Sequence, residues 1–492
     1  MSRTTKILLT GITGSVGSWI ARKALLDDNR LLAVVRADSD TIARARVQAA
    51  LDTVGVGDLL RHVDIVRGDI CLEELGLKSI ATDISFIIHC AAALEFGEDF
   101  SELSRQVNVE GTANILELAE ILQAPICHLS TAYIAGERSG TVYESDVDVR
   151  QKFHNAYERT KCQAESLVHK WSHRTDLDAF IFRPSIVVGD TEGGRILNFD
   201  GLYNLMRFFD NVGGVVGQKD FRVIGDPDAT KNFVPVDYVA DAIWYIIQHG
   251  SPGTYHITHS SPMRLSQLRR IFADLFDLPG ARFVHQSDFQ TNQASRLERM
   301  YQEATSTYLP YFMGEPVFDR TNTDHALVDT HLQVPQMDTD YFLRLLSYAR
   351  KANWGKKHST KTVTAKNSNN VVDRYFDDFL AEKMHKQLLP NLRSLSATCR
   401  INVEDVGRSW ALKIEQGRLV KISHNSMDCQ CEFLVNYETF KRIVSGKLVP
   451  QKAFFKRKVD IQGDIETGLK LATVLAEFFQ KWPYRPEAEH DG

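Results

Sequence analysis

The chain has 492 residues, of which 43% are hydrophobic and 25% are charged. This composition is ordinary for a folded globular protein and excludes the disordered, collagen-like and disulfide-scaffold classes. Lys and Arg number 58 against 63 Asp and Glu, which gives a net charge of −5. A nucleic-acid-binding protein normally carries a strongly basic face, so we expect no nucleic-acid partner. At this length more than one domain is expected.

Cysteine usage and hydropathy bear on the compartment. The seven cysteines are odd in number and scattered, which is typical of reduced thiols in a cytoplasmic protein. No apolar run approaches the roughly 18 residues of a membrane span, and the first one, Ile7–Leu9, leads into a glycine loop rather than a signal peptide. Cys429 and Cys431 favour one strand face over a metal site, because no second pair has ligand spacing. We therefore expect a cytoplasmic chain without a membrane span or a resident metal.

The first half of the chain alternates short apolar runs with segments of helical spacing. Helical spacing covers Val16–Leu26 and Val107–Leu122. The candidate strands are Lys6–Leu9, Leu31–Val35, Asp64–Arg67, Phe86–His89, Ile126–Leu129 and Ala179–Arg183. This rotation of strand and helix predicts an α/β fold, a Rossmann-type doubly wound parallel sheet covered on both faces. Residues 1–350 are assigned to this unit, which includes a small substrate lobe.

The composition changes near Arg350. Residues 351–370 are rich in Lys, Ser, Thr and Asn and nearly free of large apolar side chains. Such a stretch predicts a solvated polar linker. Residues 371–485 would then form a second domain.

Periodicity in this second domain differs from that of the first. Val371–Leu389 has the spacing of an amphipathic helix. Apolar and polar residues alternate from Trp410 to Val435, which predicts antiparallel strands joined by short turns. A last helix is predicted over Ile465–Lys481. We therefore expect an α+β domain with its own core.

A glycine-rich loop follows the first strand and opens the first helix. Its glycines permit a tight turn and a close approach of the backbone to a pyrophosphate. The helix N-terminus offers N–H donors and the positive end of the helix dipole. The cofactor-binding residues predicted here are Gly11, Thr13, Gly14, Ser15, Val16 and Gly17.

The residue after the second strand bears on the choice of nicotinamide cofactor. NAD-preferring sites place a carboxylate about 20 residues past the loop, where it binds the ribose 2′-hydroxyl. Arg36 takes that place and Arg46 lies nearby, and guanidinium groups there attract a 2′-phosphate. This favours NADPH/NADP, while Asp38 close by leaves NAD as the alternative.

Later strand ends supply the other cofactor candidates. Asp69 and Ile70 follow the third strand, where a carboxylate can reach the adenine amino group. Ala91 and Ala92 follow the fourth, and their small side chains let a cofactor pass close to the backbone. Pro184 follows the sixth strand. Because ligands of open α/β folds bind at the carboxyl edge of the sheet, we expect these residues to share one site.

Tyr157 and Lys161 form a Y-x-x-x-K motif on a predicted helix. Spacing of i, i+4 places both side chains on one face. A nearby ammonium lowers the pKa of a tyrosine, which makes the phenol a usable general acid near neutral pH. Thr131, after the fifth strand, would hold the substrate oxygen. A second copy of the motif, Tyr437 and Lys441, is interpreted as chance.

Together these residues resemble the extended short-chain dehydrogenase/reductases over residues 5–260. Within that superfamily, several stretches are similar to fatty acyl-CoA reductases and thioester reductases. The stretches that carry the resemblance are Gly11–Gly17, Val35–Ala37, Ala43–Arg46, Asp69, His89–Phe96, Asn108 with Gly111, Leu129–Tyr133, Tyr157 with Lys161, Arg183–Pro184 and Asn232–Tyr238.

The resemblance also implies chemistry. Thr131, Tyr157 and Lys161 would be the catalytic triad, and Asn108 would belong to the cofactor site. Hydride would pass to a thioester carbonyl or an aldehyde, Tyr157 would protonate the oxyanion, and Lys161 would bind the nicotinamide ribose. We find no adenylation or carrier domain, so the acyl group is expected to arrive as a thioester of coenzyme A or of an external carrier protein. Family members are often dimers, which suggests a homodimer.

The second domain has its own resemblance. Residues 371–485 look like the sterol carrier protein type two fold, through Trp410–Ile414, Ser445–Phe455 and Val459–Asp464. Such domains enclose an apolar tunnel, and burial at ~0.8 kcal/mol per methylene suffices to hold a long chain. The alternative is a packed domain used for docking or dimerisation.

Three functions therefore stay open. The first is an NADPH-dependent reductase of a fatty acyl thioester or long-chain aldehyde. The second is a sterol or hydroxy-lipid dehydrogenase, or a sugar-nucleotide epimerase, on the same scaffold. The third is a non-catalytic lipid carrier that senses NADPH. In the substrate lobe, the aromatic stretch Tyr308–Phe312 either lines an acyl channel or packs the core.

Overall fold

The computed structural model describes nine segments of the chain. These are residues 6–77, 83–94, 101–216, 220–290, 293–355, 371–384, 396–424, 427–455 and 458–485. They form an α/β unit, which is the predicted nucleotide-binding unit, the predicted substrate lobe built on its carboxyl edge, and a C-terminal domain.

A seven-stranded parallel sheet forms the centre of the nucleotide-binding unit. Its strands are Lys6–Thr10 (β1), Arg30–Val35 (β2), Val63–Arg67 (β3), Phe86–His89 (β4), Ile126–Leu129 (β5), Ala179–Pro184 (β6) and Gly253–Ile257 (β7). They lie in the order β7-β6-β5-β4-β1-β2-β3, and each neighbouring pair is parallel. The strand order reverses beside β1, so a crevice forms at the carboxyl ends of β1 and β4.

Helices cover both faces of this sheet and build the lobe. They are Ser15–Leu26 (α1), Asp40–Thr53 (α2), Ser101–Arg105 (α3), Gly111–Leu122 (α4), Ala156–Thr175 (α5), Leu202–Val216 (α6), Val236–His249 (α7), Leu265–Phe276 (α8), Arg296–Thr305 (α9), Thr321–Ala326 (α10) and Thr339–Lys351 (α11). Helices α1, α2 and α7 share one apolar core with the sheet, and α4 and α5 share another. Among the helices of the described segments, none combines the length and apolar character needed to cross a bilayer.

The predicted doubly wound sheet is confirmed, and all six predicted strands match to within one residue at each end. The match is close because β1 and its neighbours are buried on both faces and therefore read as continuous apolar runs. The helix predicted over Val107–Leu122 differs at its start. Gln106–Glu110 forms a π-helical turn, and α4 begins at Gly111.

Short strand pairs organise the substrate lobe around the carboxyl edge. They are Ile186–Val188 with Phe233–Pro235, Thr230–Lys231 with Met263–Arg264, Phe221–Ile224 with Ala281–Val284, and Thr141–Val142 with Val317–Phe318. The aromatic stretch lies in the 3₁₀ helix Ser306–Phe312. This brings residues distant in the chain close to the ends of β5 and β6.

The C-terminal domain is built on a five-stranded sheet. Its strands are Ala397–Val403 (β8), Arg408–Glu415 (β9), Arg418–Ser423 (β10), Cys431–Val435 (β11) and Val459–Gly463 (β12), in the order β10-β9-β8-β11-β12. Its helices are Tyr437–Val444 (α12), Pro450–Phe455 (α13) and Ile465–Lys481 (α14). The predicted strands and the last helix are confirmed. Gln416 and Gly417 both have positive φ, as the two-residue turn of a hairpin requires.

The start of this domain departs from the sequence prediction. Residues 371–383 are helical, with a π-helical segment at Tyr375–Leu380. The structure describes this segment as far as residue 384, so the end of the predicted Val371–Leu389 helix lies outside the described residues. Residues 351–355, predicted as linker, instead complete α11 and a 3₁₀ turn in which Trp354 is buried. Because the stretch is rich in lysine, its average composition is polar and did not predict that Trp354 is buried. Residues 356–370 lie outside the described residues, and their role as a linker stays a prediction.

The C-terminal domain shares its core with the substrate lobe, contrary to the expectation of a separate core. Buried apolar residues of both form one continuous cluster. Helix α6, which contributes Phe208 and Phe209, packs against α14, which contributes Phe478. The buried Arg207 of α6 also reaches Asp460 of β12, with 3.5 Å between Nη2 and Oδ1. The amphipathic patterns of α6 and α14 reveal apolar faces but not what covers them.

Aromatic side chains fill the space between the C-terminal sheet and its first helical segment. Trp410 of β9 is fully buried. Its ring stacks on Phe376, with the ring centroids 4.5 Å apart, and Phe376 stacks in turn on Phe440. The Trp410 indole N–H donates to Asp377 and satisfies its polar atom.

Trp410→Ala should lower the free energy of unfolding of the C-terminal domain by about 3–5 kcal/mol, because it leaves a cavity that the sheet cannot collapse to fill. Urea unfolding followed by circular dichroism measures the change. The matched control is Trp482→Ala, because Trp482 is 42% exposed. Equal shifts for the two variants would contradict the packing role of Trp410.

A buried ion pair anchors helix α5 to the sheet. Arg183 of β6 and Glu165 of α5 are both inaccessible to solvent, with 2.5 Å between Nη2 and Oε1. Ser130 donates to the second carboxylate oxygen at 2.5 Å. Burial alone would raise the pKa of Glu165, but Arg183 and the hydrogen bonds from His169 and Ser130 outweigh it and lower the pKa to about 2.

Glu165→Gln should destabilise the chain by about 3–5 kcal/mol, because it leaves the Arg183 guanidinium buried without its counter-charge. In the wild-type chain, the stabilisation from the lowered pKa is complete above the ordinary value of 4.5 and is lost as the pH falls towards 2. Thermal unfolding from pH 7 to pH 3 measures both. Glu120→Gln, at the exposed pair with Arg174, is the control and should leave the midpoint almost unchanged.

Candidate active site

The glycine loop has the geometry that a dinucleotide requires. Gly11 has φ of +78°, and a Cβ there would lie 2.7 Å from the backbone N of Ala91. A Cβ on Gly17 would lie 2.2 Å from the carbonyl oxygen of Gly11. Only glycine at both positions lets β1, α1 and the loop after β4 meet so closely.

The first turn of α1 is open to an anion. Gly14 is the N-cap residue, no side chain of the described segments caps the helix, and its first turn holds no acidic residue. The N–H groups of Ser15 and Val16 therefore lie at a free, positive helix end. These residues fit the pyrophosphate of a dinucleotide.

Two arginines lie together at the end of β2. Arg46 of α2 donates to the carbonyl oxygen of Arg36 and reaches Thr13 Oγ1 at 3.4 Å. Arg36 is 72% exposed and lies 3.9 Å from the Asp69 carboxylate. Asp69 also accepts from the backbone N–H of Cys71. Two guanidinium groups beside the adenosine side of the crevice suit a 2′-phosphate.

A buried polar chain ties the floor of the crevice together. Thr10 Oγ1 contacts His89 Nδ1 at 2.8 Å, and His89 Nε2 contacts Thr112 Oγ1 at 3.1 Å. Thr10 also accepts from the backbone N–H of Ala91 at 3.3 Å, next to Ala92. Burial lowers the pKa of His89 to about 3, so the ring is neutral and acts as a structural connector.

Asn108 lies in the π-helical turn and joins three elements. Its side chain accepts from the N–H of Ala93 at 2.8 Å and donates to Thr160 Oγ1 of α5 at 3.0 Å. Its carbonyl oxygen accepts from Thr112 at 2.6 Å. On the other flank of the loop, Ile70 is buried, and its carbonyl oxygen accepts from a side chain of α4. Asn108 thus fixes the distance between the cofactor loop and the catalytic helix.

The predicted catalytic hydroxyl groups meet in the structure. Tyr157, in the first turn of α5, lies beside Thr131, whose hydroxyl interacts with the phenol. Thr131 also contacts the carbonyl oxygen of Pro184, at the end of β6, at 3.5 Å. The ends of β5 and β6, near which Thr131 and Pro184 lie, are neighbours in the sheet.

The pKa of Tyr157 differs from the sequence prediction, which was that the nearby Lys161 ammonium would lower it. Burial raises the pKa of Tyr157 to about 12, with the charge of Glu158 adding to the rise and the Thr131 hydrogen bond opposing it. Lys161 donates instead to the carbonyl oxygen of Leu129 at 2.6 Å. Burial lowers the pKa of Lys161 to about 8. Desolvation therefore outweighs the attraction that the i, i+4 spacing suggested.

The second Y-x-x-x-K copy has a different setting. Lys441 pairs with Glu438 at 3.0 Å and is 42% exposed, and its ammonium lies over the ring of Tyr437. This copy is on α12, in the C-terminal domain and away from the carboxyl edge of the parallel sheet.

A buried cluster beside Tyr157 was not predicted from the sequence. Tyr311 of the lobe donates to Glu158 of α5. Lys231 and Glu315 form an ion pair at 3.3 Å with only 3% and 2% of their side chains exposed, and Tyr133 donates to Glu315 at 2.9 Å. Tyr311 belongs to the aromatic stretch that the sequence marked, but the pairing of Lys231 with Glu315 has no local signal.

Two family models match the chain. The male sterility protein family, an NAD-binding domain, matches residues 9–243. The SCP-2 sterol transfer family matches residues 376–476. The first range covers the crevice described above, and the second covers most of the C-terminal domain.

Individual relatives agree with these matches. Carboxylic acid reductase from Mycobacterium marinum is 27% identical over 283 residues, which cover 51% of this chain and 24% of that protein. An alcohol-forming fatty acyl-CoA reductase from Simmondsia chinensis is 24% identical over 344 residues, covering 53% of this chain and 68% of that protein. The chain therefore spans about a quarter of the first relative and two thirds of the second.

A solved structure supports the fold. The terminal R domain from the myxalamid PKS-NRPS biosynthetic pathway superimposes with a TM-score of 0.60 at 24% identity, over 73% of this chain and 93% of that one. Residues 9–243 of this chain thus carry the match to the male sterility NAD-binding family, and residues 376–476 carry the match to the SCP-2 sterol transfer family.

Proposed function

We propose that this chain is an NADPH-dependent reductase of a lipid carbonyl, most specifically of a fatty acyl thioester carried by coenzyme A or a carrier protein, giving the aldehyde and/or the alcohol. The observation that carries the proposal is the placement of the Thr131 hydroxyl beside the Tyr157 phenol, with Lys161 one turn further along α5. Similarity to a carboxylic acid reductase and a fatty acyl-CoA reductase supports the acyl substrate.

The residues of the pair have complementary tasks in this reaction. The nicotinamide cofactor supplies the hydride when it is bound. The hydroxyl groups of Thr131 and Tyr157 hold the carbonyl oxygen, and Tyr157 gives it a proton as the C–H bond forms. The raised pKa of Tyr157 keeps the phenol protonated at neutral pH, as a general acid requires. With a thioester, the resulting hemithioacetal gives its hydroxyl proton to the departing sulfur as the C–S bond breaks, which releases the aldehyde and the thiol. Tyr157 regains its proton from solvent.

The proposal of NADPH rather than NADH rests on the two arginines at the end of β2. Arg46 already lies within reach of the glycine loop through Thr13, and Arg36 is exposed at the rim. Both guanidinium groups can donate hydrogen bonds to the 2′-phosphate on the adenosine ribose of NADPH. NADH has no phosphate at this position.

A sterol or hydroxy-lipid dehydrogenase is the second candidate, because the SCP-2 sterol transfer match extends over the C-terminal domain. The catalytic pair would serve either reaction, since both move a hydride and a proton. Oxidation of a sterol alcohol with NADP⁺, in the absence of thioester or aldehyde reduction, would favour this candidate.

Arg46→Ala should lower kcat/KM for NADPH by about 10- to 100-fold and leave that for NADH nearly unchanged, because a charge-assisted hydrogen bond is worth about 1.5–3 kcal/mol and ~1.4 kcal/mol is tenfold. Initial rates at varied cofactor concentration measure both. Arg44→Ala removes an exposed arginine of the same helix and is the control. An equal loss with both cofactors would argue against recognition of a 2′-phosphate.

Tyr157→Phe should lower NADPH oxidation by at least about 100-fold, since it removes the general acid and keeps the ring. Palmitoyl-CoA, hexadecanal and a sterol ketone are compared as substrates, and NADPH binding is followed by its fluorescence. Tyr437→Phe, in the second motif copy, is the matched control and should keep full activity. Turnover of the aldehyde alone would restrict the activity to aldehyde reduction, and no turnover of the thioester or aldehyde despite NADPH binding would overturn acyl reduction.

A further inference from the structure

The first turn of the catalytic helix is held by the substrate lobe. Tyr311, in the 3₁₀ helix Ser306–Phe312, donates its hydroxyl proton to Glu158 Oε1 and accepts from Asn155 Nδ2 at 2.7 Å. Asn155 is the N-cap residue of α5, and its Oδ1 accepts from the N–H of Glu158 at 3.0 Å. One lobe hydroxyl therefore contacts the residues on both sides of Tyr157.

The Glu158 carboxylate has a full set of donors. It is completely buried, and it accepts from the backbone N–H of His154 at 2.9 Å and from the His154 ring at 3.1 Å, in addition to Tyr311. A buried carboxylate with several donors holds one orientation, because losing any donor leaves a desolvated charge. The hydrogen bonds to Glu158 therefore also hold the helix turn that carries Tyr157 in place.

The ring of Tyr311 is itself held by the buried ion pair. Lys231 Nζ lies 5.6 Å from the Tyr311 ring, and the ring meets Tyr133 edge-on with 5.5 Å between centroids. Tyr133 donates to Glu315, the partner of Lys231. The N–H of Tyr133 donates to Thr131 Oγ1 at 3.3 Å. The cluster therefore contacts Thr131 directly and reaches Tyr157 through Asn155 and Glu158.

We propose that Tyr311 is a positioning residue that aligns Tyr157 with Thr131, so that the catalytic geometry depends on the substrate lobe being seated on helix α5. The inference rests on the proposed reductase function. Tyr311 needs no contact with the substrate for this role, since it acts through Glu158 and Asn155. A shift of about 1 Å in a reacting group can cost about 100-fold in rate.

Tyr311→Phe tests the proposal because it keeps the ring contacts and removes only the hydroxyl. We expect kcat for the thioester or aldehyde to fall about 10- to 100-fold, with KM for both substrates within about twofold of wild type. Tyr308→Phe is the matched control in the same 3₁₀ helix, because the Tyr308 hydroxyl accepts from Asn204 of α6 instead. It should keep wild-type kcat. An unchanged kcat in Tyr311→Phe, or an equal loss in both variants, would overturn the proposal.

Amide hydrogen exchange gives a readout that does not depend on activity. The peptide covering residues 155–161 should exchange faster in Tyr311→Phe than in wild type or Tyr308→Phe, while peptides from β1 and α1 stay unchanged. Unaltered exchange would overturn the positioning role. If wild type reduces none of the substrates, the proposed function fails, and the exchange comparison still decides the role of Tyr311. If Tyr311→Phe does not fold, Glu158→Gln, which keeps the side-chain shape, takes its place with the same expectations.

Discussion

The buried ion pair between Glu165 and Arg183 is the constraint on which the catalytic edge depends. Both charges are out of contact with water, so each needs the other, and a slide of α5 along β6 would leave two buried charges uncompensated. Lys161 lies one turn before Glu165, and Tyr157 lies two turns before it on the same helix. The ion pair therefore sets the height of Tyr157 and Lys161, the proposed catalytic side chains of α5, above the sheet.

Desolvation sets the charge state of this edge more than the neighbouring charges do. Burial moves the pKa of Tyr157 up and the pKa of Lys161 down, so both shifts favour the neutral forms. The same cause keeps the His89 ring neutral beneath the crevice. At neutral pH Tyr157 is therefore a neutral phenol, whereas Lys161, with a pKa of about 8, still carries most of its charge.

The parts of the fold that were predictable are those with local causes. Buried parallel strands such as β1 read as apolar runs, and the glycine loop reads as a fixed spacing. The motif of Tyr157 and Lys161 could also be found from the sequence, because its two residues are close together in the chain. Lys231 and Glu315 could not be paired from the sequence, because 84 residues separate them and each alone looks like a surface charge.

The C-terminal half shows a second limit of sequence reasoning. Hydrophobic periodicity located α14 as an amphipathic helix, but periodicity does not say which surface its apolar face meets. The expectation of two independent cores therefore missed the continuous cluster between the lobe and the C-terminal domain. Trp354 was missed for a related reason, since one apolar anchor is lost in the average composition of a lysine-rich stretch.

The shared core also bears on how such a chain can be recombined with others. A lysine-rich stretch invites a cut at residues 356–370, but exchanging the C-terminal domain there would pair α6 with a foreign surface in place of α14. A substitution at Arg207 would need a matching change at Asp460 across the boundary. The lobe and the C-terminal domain should therefore change together as one inherited block.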